Sequence, residues 1–165
     1  MKLKLISLFA LSLMITPVSF AHHDAHHHGD KGDFKGVSQP LANDLFVEDA
    51  RATETIPGVK VGAGYLTIVN NSNKNIRVTA ASTAAAQYTE IHRMFMRDSK
   101  MAMRKVEYIE IPANDRFVLK PGGYHLMFMM LNHSLKAGDN IEVELVLDNG
   151  DKALITMPVI KKNKK

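Results

Sequence analysis

Histidine and methionine crowd together at a few places in the 165-residue sequence, and imidazole nitrogen with thioether sulfur is a donor combination that suits soft metal ions. Five of the eight histidines lie between His22 and His28, and seven of the ten methionines between Met94 and Met130. In Tyr124-His125-Leu126-Met127-Phe128-Met129, strand alternation sends His125, Met127 and Met129 to one face and Leu126 and Phe128 to the other. A second cluster runs Ile91-His92-Arg93-Met94-Phe95-Met96, Arg97-Asp98-Ser99-Lys100, Met101-Ala102-Met103. Folded as a hairpin about its polar tetrapeptide, this cluster pairs Met96 with Met101 and Met94 with Met103. His92 then lies diagonal to Met103 on the same face, within reach of one bound atom.

Two neutral nitrogens and two thioether sulfurs form a soft, uncharged set that selects Cu(I) over magnesium or calcium. Strand parity leaves Met94, Met96 and Met101 as open as Met103 and Met127. Met129, Met130 and Met157 are expected to fill core space, and His133, in Asn132-His133-Ser134, to serve at the surface. The absence of cysteine excludes disulfide scaffolds, thiolate zinc sites, lipid attachment through a cysteine, and cysteine nucleophiles. It also removes blue-copper electron transfer, which needs a cysteine sulfur. No GxSxG elbow, HExxH helix or phosphate loop is present, so the reading is not an enzyme.

The elements that must position these groups start after an export signal. Lys2 and Lys4, the apolar stretch Leu5 to Ile15, and the small-residue ending Ser19-Phe20-Ala21 predict residues 1–21 as a signal peptide cleaved after Ala21. Eleven mostly apolar residues fall short of the ~20 that span a bilayer, so no stable membrane insertion is expected after cleavage. The expected compartment is the periplasm. Residues 22–36, HHDAHHHGDKGDFKG, are too polar to hold a fixed structure and read as a disordered His-rich tail. Its His22, His23, His26, His27 and His28 suit Cu(II), Zn(II) or Ni(II), and cleavage after Ala21 would add the free α-amino group of His22.

From residue 37 to 160 the pattern becomes short β-branched and aromatic runs separated by turn residues. Strands are expected at Leu45–Ala50, Gly64–Asn70, Ile76–Ser82, Thr89–Met96, Met101–Ile109, Arg116–Leu119, Tyr124–Leu131, Ile141–Leu147 and Ala153–Val159. Asn149-Gly150 is the strongest hairpin signal, and the alanines of Thr83–Gln87 alone hint at a helix. About nine short strands predict an all-β, two-sheet Greek-key sandwich. Residues 161–165 form a basic tail with four lysines; without these and the two signal lysines, 15 basic residues face 17 acidic ones. That balance leaves no basic stripe for a nucleic-acid backbone.

The site residues carry a family resemblance. His92, ten residues, Met103, twenty-one residues, then His125-x-Met127 fits without a gap the signature of periplasmic copper chaperones with a PCu(A)C domain. Glu90-Ile91-His92, Met101-Ala102-Met103-Arg104, Ile111-Pro112-Ala113 and Lys120-Pro121-Gly122-Gly123-Tyr124-His125-Leu126-Met127 match as well, over roughly residues 40 to 160. The resemblance implies a cupredoxin-like β-sandwich and one Cu(I) held near the surface by His92, Met103, His125 and Met127. It further implies delivery of copper toward cytochrome c oxidase assembly, with subunit II or another oxidase assembly protein as recipient. Related proteins often carry a His/Met-rich segment after the domain, whereas here the histidines precede it. The tail also keeps open a different function, copper sequestration or resistance without a dedicated recipient.

Overall fold

The computed structural model describes residues 36–161. The expected signal peptide, the His-rich tail up to Lys35 and the last four residues lie outside them. Eleven strands follow in order: β1 (Val37–Ala42), β2 (Leu45–Thr53), β3 (Val61–Asn70), β4 (Ile76–Ser82), β5 (Ala86–Arg97), β6 (Lys100–Lys105), β7 (Ile109–Ile111), β8 (Asp115–Leu119), β9 (Tyr124–Leu131), β10 (Asn140–Leu147) and β11 (Lys152–Ile160). Burial alternates along them, as strands with one face on a core require: in β3, Gly62, Gly64, Leu66, Ile68 and Asn70 are buried and the residues between them are not.

Each of the nine expected segments contains strand, and the count of eleven has two sources. β1 is short of apolar residues and contains Pro40, so alternation does not reveal it; among the described residues it pairs with β2. The run from Met101 to Ile109 is two strands rather than one, because the chain leaves β6 after Lys105 and re-enters the opposite sheet as β7. The hint of a helix at Thr83–Gln87 is overturned. Thr83 Oγ1 accepts from Ala85 N at 3.3 Å and donates to Glu142 O at 2.5 Å, closing a turn that sets Ala85 and Ala86 against the core and starts β5.

The strands form two sheets joined at an edge, in the order β6-β5-β9-β3-β2-β11-β10-β4-β7, with β1 on β2 and β8 on β3. β11 links the sheets: it pairs antiparallel with β10 and then runs parallel to β2 at Val159↔Ala52 and Ile160↔Thr53. Successive strands β3 and β4, and β9 and β10, lie in opposite sheets, the crossovers of a Greek-key sandwich. Leu66, Ile68, Leu126 and Phe128 from one sheet and Val143, Leu145, Ile155 and Met157 from the other share one core. A Cβ at Gly64 would lie 2.8 Å from the Phe128 ring and 3.1 Å from the Met157 methyl, so glycine there lets β3 and β9 pack under the second sheet. Met157 is fully buried, as expected of core filler, but Met130 is 55% exposed at φ 54° and fills no core. His133 is exposed.

Two turns hold the methionine and histidine strands. Asp98 and Ser99, both at positive φ (50° and 59°), close β5 onto β6 as a two-residue turn of the mirror-image type whose twist suits a hairpin. Pro121-Gly122, with Gly122 at φ 77° and Gly123 N donating to Lys120 O at 3.0 Å, make a type II turn between β8 and β9. β8 and β9 both pair with β3, at Leu66↔Leu119 and Gly64↔Leu126, so this turn bulges from a nearly continuous strand.

Candidate metal centre

The hairpin register is the expected one: Met94 pairs with Met103 and Met96 with Met101. On the other side of β5, His92 pairs with His125 and Glu90 with Met127. Directly paired residues project to the same face, so His92, Met103, His125 and Met127 share one face of three adjoining strands. The two imidazoles form the centre, with ring centroids 6.0 Å apart and planes at 48°. Met103 lies one register step toward the hairpin tip and Met127 one step away from it. Met94 adjoins the pair on the tip side along β5, and Met96 and Met101 lie further out.

Each imidazole is held at one nitrogen. His92 Nε2 is 2.8 Å from Glu90 Oε2, and Lys105 Nζ donates to Glu90 Oε1 at 2.9 Å. A carboxylate only accepts, so Nε2 carries the hydrogen and Nδ1 of the neutral ring is a bare lone pair. That Nδ1 is buried and has no hydrogen-bond partner. His125 Nδ1 lies 3.2 Å from Gly123 O, another pure acceptor, so its free lone pair is on Nε2. Gly123 O also accepts from Met94 N at 3.0 Å, which ties the bulge, the hairpin and His125 together.

The electrostatics favour the neutral form of His125. Burial pushes the His125 imidazole below its ordinary value of 6.5, with neighbouring His92 adding to the effect and the Gly123 carbonyl opposing it. The hydrogen bonds from His92 and Lys105 hold the Glu90 carboxyl below its usual range, so it stays ionised. Exposure rises from the histidines outward: His125 is 6% exposed, whereas Met103 is 45%, Met101 55% and Met96 61% exposed. Met127 and Met129 are half-buried. A nitrogen pair at the base and sulfurs at the rim can hold a soft ion and still let an incoming donor reach it. A groove of about 750 Å³ lies apart from this site, along β1 and β2, lined by Phe46, Glu48 and Asp49 among others.

Glu90, Lys105 and Gly123 are the site residues that the ligand pattern does not reveal. A signal for the first is present, since Glu-x-His in a strand places carboxylate and imidazole on one face. Gly123 acts through its carbonyl, which no residue type encodes. The histidines of residues 22–28 lie outside the described residues.

A family model described as "LpqE-like: Putative lipoprotein LpqE-like" matches residues 45–159. The "Putative lipoprotein Lxx21020" of Leifsonia xyli subsp. xyli is 27% identical over 114 residues, covering 68% of this chain and 69% of that protein. Among solved structures, the copper-bound PCuAC domain from PmoF2 superposes with a TM-score of 0.65 at 17% identity, over 76% of this chain and 99% of that one. The apo PCuAC domain from PmoF1 gives 0.64 at 19% identity, over 76% and 100%. The solution structure of CuI-DR1885 from Deinococcus radiodurans gives 0.55 at 27% identity, over 70% and 77%. The likeness to the PmoF domains is one of fold.

Proposed function

The chain belongs to the LpqE-like family and has the cupredoxin-like β-sandwich fold of PCu(A)C domains, and from that premise we propose that it is a periplasmic copper metallochaperone. It binds one Cu(I) through His92, Met103, His125 and Met127 and delivers it toward the copper centre of cytochrome c oxidase, with subunit II as recipient. Its work is exchange of ligands on a metal cargo, not catalysis. The observation that carries the reading is the paired imidazoles, each with one nitrogen tied to an oxygen acceptor, with the buried Nδ1 of His92 left without a partner. A buried nitrogen without a partner is a cost that a bound soft cation removes.

The four donors are neutral, so they add no charge to hold a divalent ion, and two are thioethers, which favour Cu(I). Met103, the most exposed of the four, is the ligand that a recipient displaces first. The His-rich tail captures Cu(II) or Zn(II) separately, through its imidazoles and the α-amino group that cleavage after Ala21 frees at His22. The relatives' names describe lipoproteins; these 165 residues contain no cysteine to carry a lipid.

Copper-loaded protein mixed with the metal-free soluble domain of an oxidase subunit II tests the assignment. Movement of Cu(I) into the oxidase domain is expected. Retention of copper against that acceptor would assign sequestration instead.

A further inference from the structure

Beyond the four-ligand site, the tip of the β5–β6 hairpin carries three methionines that the proposed function does not use. Met96 and Met101 form a direct cross-strand pair, and Met94 is two residues from Met96 on β5 and diagonal to Met101. All three project to one face. Met96 is 61% and Met101 55% exposed, so neither fills a core, and a strand-edge hairpin gains nothing from two solvated thioethers as packing. β6 is the end of its sheet, and the two-residue turn at Asp98-Ser99 pins the register that brings the sulfurs together.

The opposite face of the same hairpin is basic. Arg93 pairs with Arg104 and Arg97 with Lys100, flanking Phe95, over which the Arg104 guanidinium lies at 5.4 Å. Asp98, 3.7 Å from Arg97, is the acidic group recorded there among the described residues. A divalent ion meets twice the repulsion from these charges that a monovalent ion meets. Soft, neutral donors on a cationic hairpin therefore favour a monovalent soft cation.

We propose that Met94, Met96 and Met101 form a second Cu(I) site, made of thioethers alone, which takes the ion from solvent and passes it along the hairpin to the His92–His125 centre. No electron moves: Cu(I) exchanges sulfur ligands, from the Met96–Met101 pair to Met103 and then to the imidazoles. The hairpin site is weaker than the inner one because it has no nitrogen donor and stays open to water. The inner end of this path rests on the four-ligand reading, whereas the tip site stands on its own three sulfurs.

Full-length protein labelled with ¹³C at the methionine methyls, titrated anaerobically with Cu(I) supplied as its acetonitrile complex, reads each sulfur separately. The first equivalent is expected to shift the Met103 and Met127 methyls, and the second those of Met94, Met96 and Met101. The triple variant Met94→Leu, Met96→Leu, Met101→Leu should lose the second phase and fill the inner site at least fivefold more slowly from a Cu(I) chelator. The methyl of Met157, buried in the core, reports that the variant is folded. Met96 and Met101 methyls that stay unmoved through two equivalents while Met103 and Met127 shift would overturn the proposal and leave the inner site standing. Shifts at Met96 and Met101 with none at Met103 and Met127 would do the reverse.

Discussion

His92 and His125 stand directly opposite each other on β5 and β9, 6.0 Å between ring centroids, yet each is anchored by a different oxygen and through a different nitrogen. The Glu90 carboxylate takes Nε2 of one and the Gly123 carbonyl takes Nδ1 of the other. The donors left over are Nδ1 of His92 and Nε2 of His125. Such outer partners fix tautomer and ring orientation, and their loss commonly weakens a metal site by ~10- to 100-fold.

Glu90→Leu is therefore expected to lower Cu(I) affinity by about tenfold or more, since His92 loses the acceptor that holds its hydrogen on Nε2. Glu90→Gln retains an acceptor oxygen and should recover most of that loss. Competition against a Cu(I) chelator gives the affinities, and imidazole ¹⁵N shifts give the tautomer. Equal affinity in the leucine variant and the parent would remove Glu90 from the site.

The depressed His125 imidazole has a consequence for stability. Its folded pKa lies below the unfolded value of 6.5, so the unfolded chain binds more protons in the window between them. The stability held by the neutral ring is complete above pH 6.5 and is lost as pH falls through the folded value. Urea denaturation of the metal-free protein should show this acid loss, and His125→Gln should lack that part of it. A profile unchanged by the substitution would place the proton uptake elsewhere.

Asn70 is fully buried at the end of β3 and gives the domain a polar knot. Its Nδ2 faces Lys74 O at 2.8 Å, Pro112 O at 3.0 Å and Ile111 O at 3.2 Å, and its Oδ1 accepts from Ser72 N and Oγ. Asn70→Ala strands several of these groups inside the sandwich. A loss of about 2 to 3 kcal/mol in unfolding free energy is expected, measurable by urea titration, with Cu(I) affinity unchanged.

Much of this was legible in residue order, and the parts that were not have identifiable causes. The pairs Met94–Met103 and Met96–Met101 follow from a polar tetrapeptide between two alternating runs, because hairpin register is arithmetic once the turn is located. The opposition of His92 and His125 does not, since β5 and β9 are far apart in the chain and only the folded sheet makes them neighbours. β1 escaped because Pro40 and Gln39 break its apolar alternation, and it is held instead by pairing with β2 and by Gln39 Nε2 donating to Thr156 O at 2.8 Å. The alanines after Thr83 read as helix because propensity is local, whereas the side-chain bond from Thr83 to Glu142 reaches another strand.

The all-nitrogen tail and the mixed nitrogen–sulfur centre have different chemistries, so they should bind different copper states independently. Deleting His22–Asp30 is expected to abolish most Cu(II) binding while one Cu(I) per chain is retained at the inner centre. Equilibrium dialysis under air and under anaerobic reducing conditions separates the two. Loss of both together would mean a shared site.

Five methionines compete for the role of sulfur ligand at the inner centre, and only two should hold it. Register places Met94 at least as near the imidazole pair as Met103, so position alone does not single out Met103. The spacing His92, Met103, His125, Met127 does choose. Leucine keeps the volume of methionine and removes the donor sulfur, which makes it the right probe. Met103→Leu and Met127→Leu should each weaken the first Cu(I) equivalent strongly, and His92→Ala and His125→Ala should do the same. Met94→Leu, Met96→Leu and Met101→Leu should change that first affinity little, because their sulfurs serve the outer site. Seven single variants titrated against one Cu(I) chelator would settle the order. Equal losses across all five methionines would mean a diffuse sulfur cluster, with neither Met103 nor Met127 privileged, and would sink the four-ligand assignment.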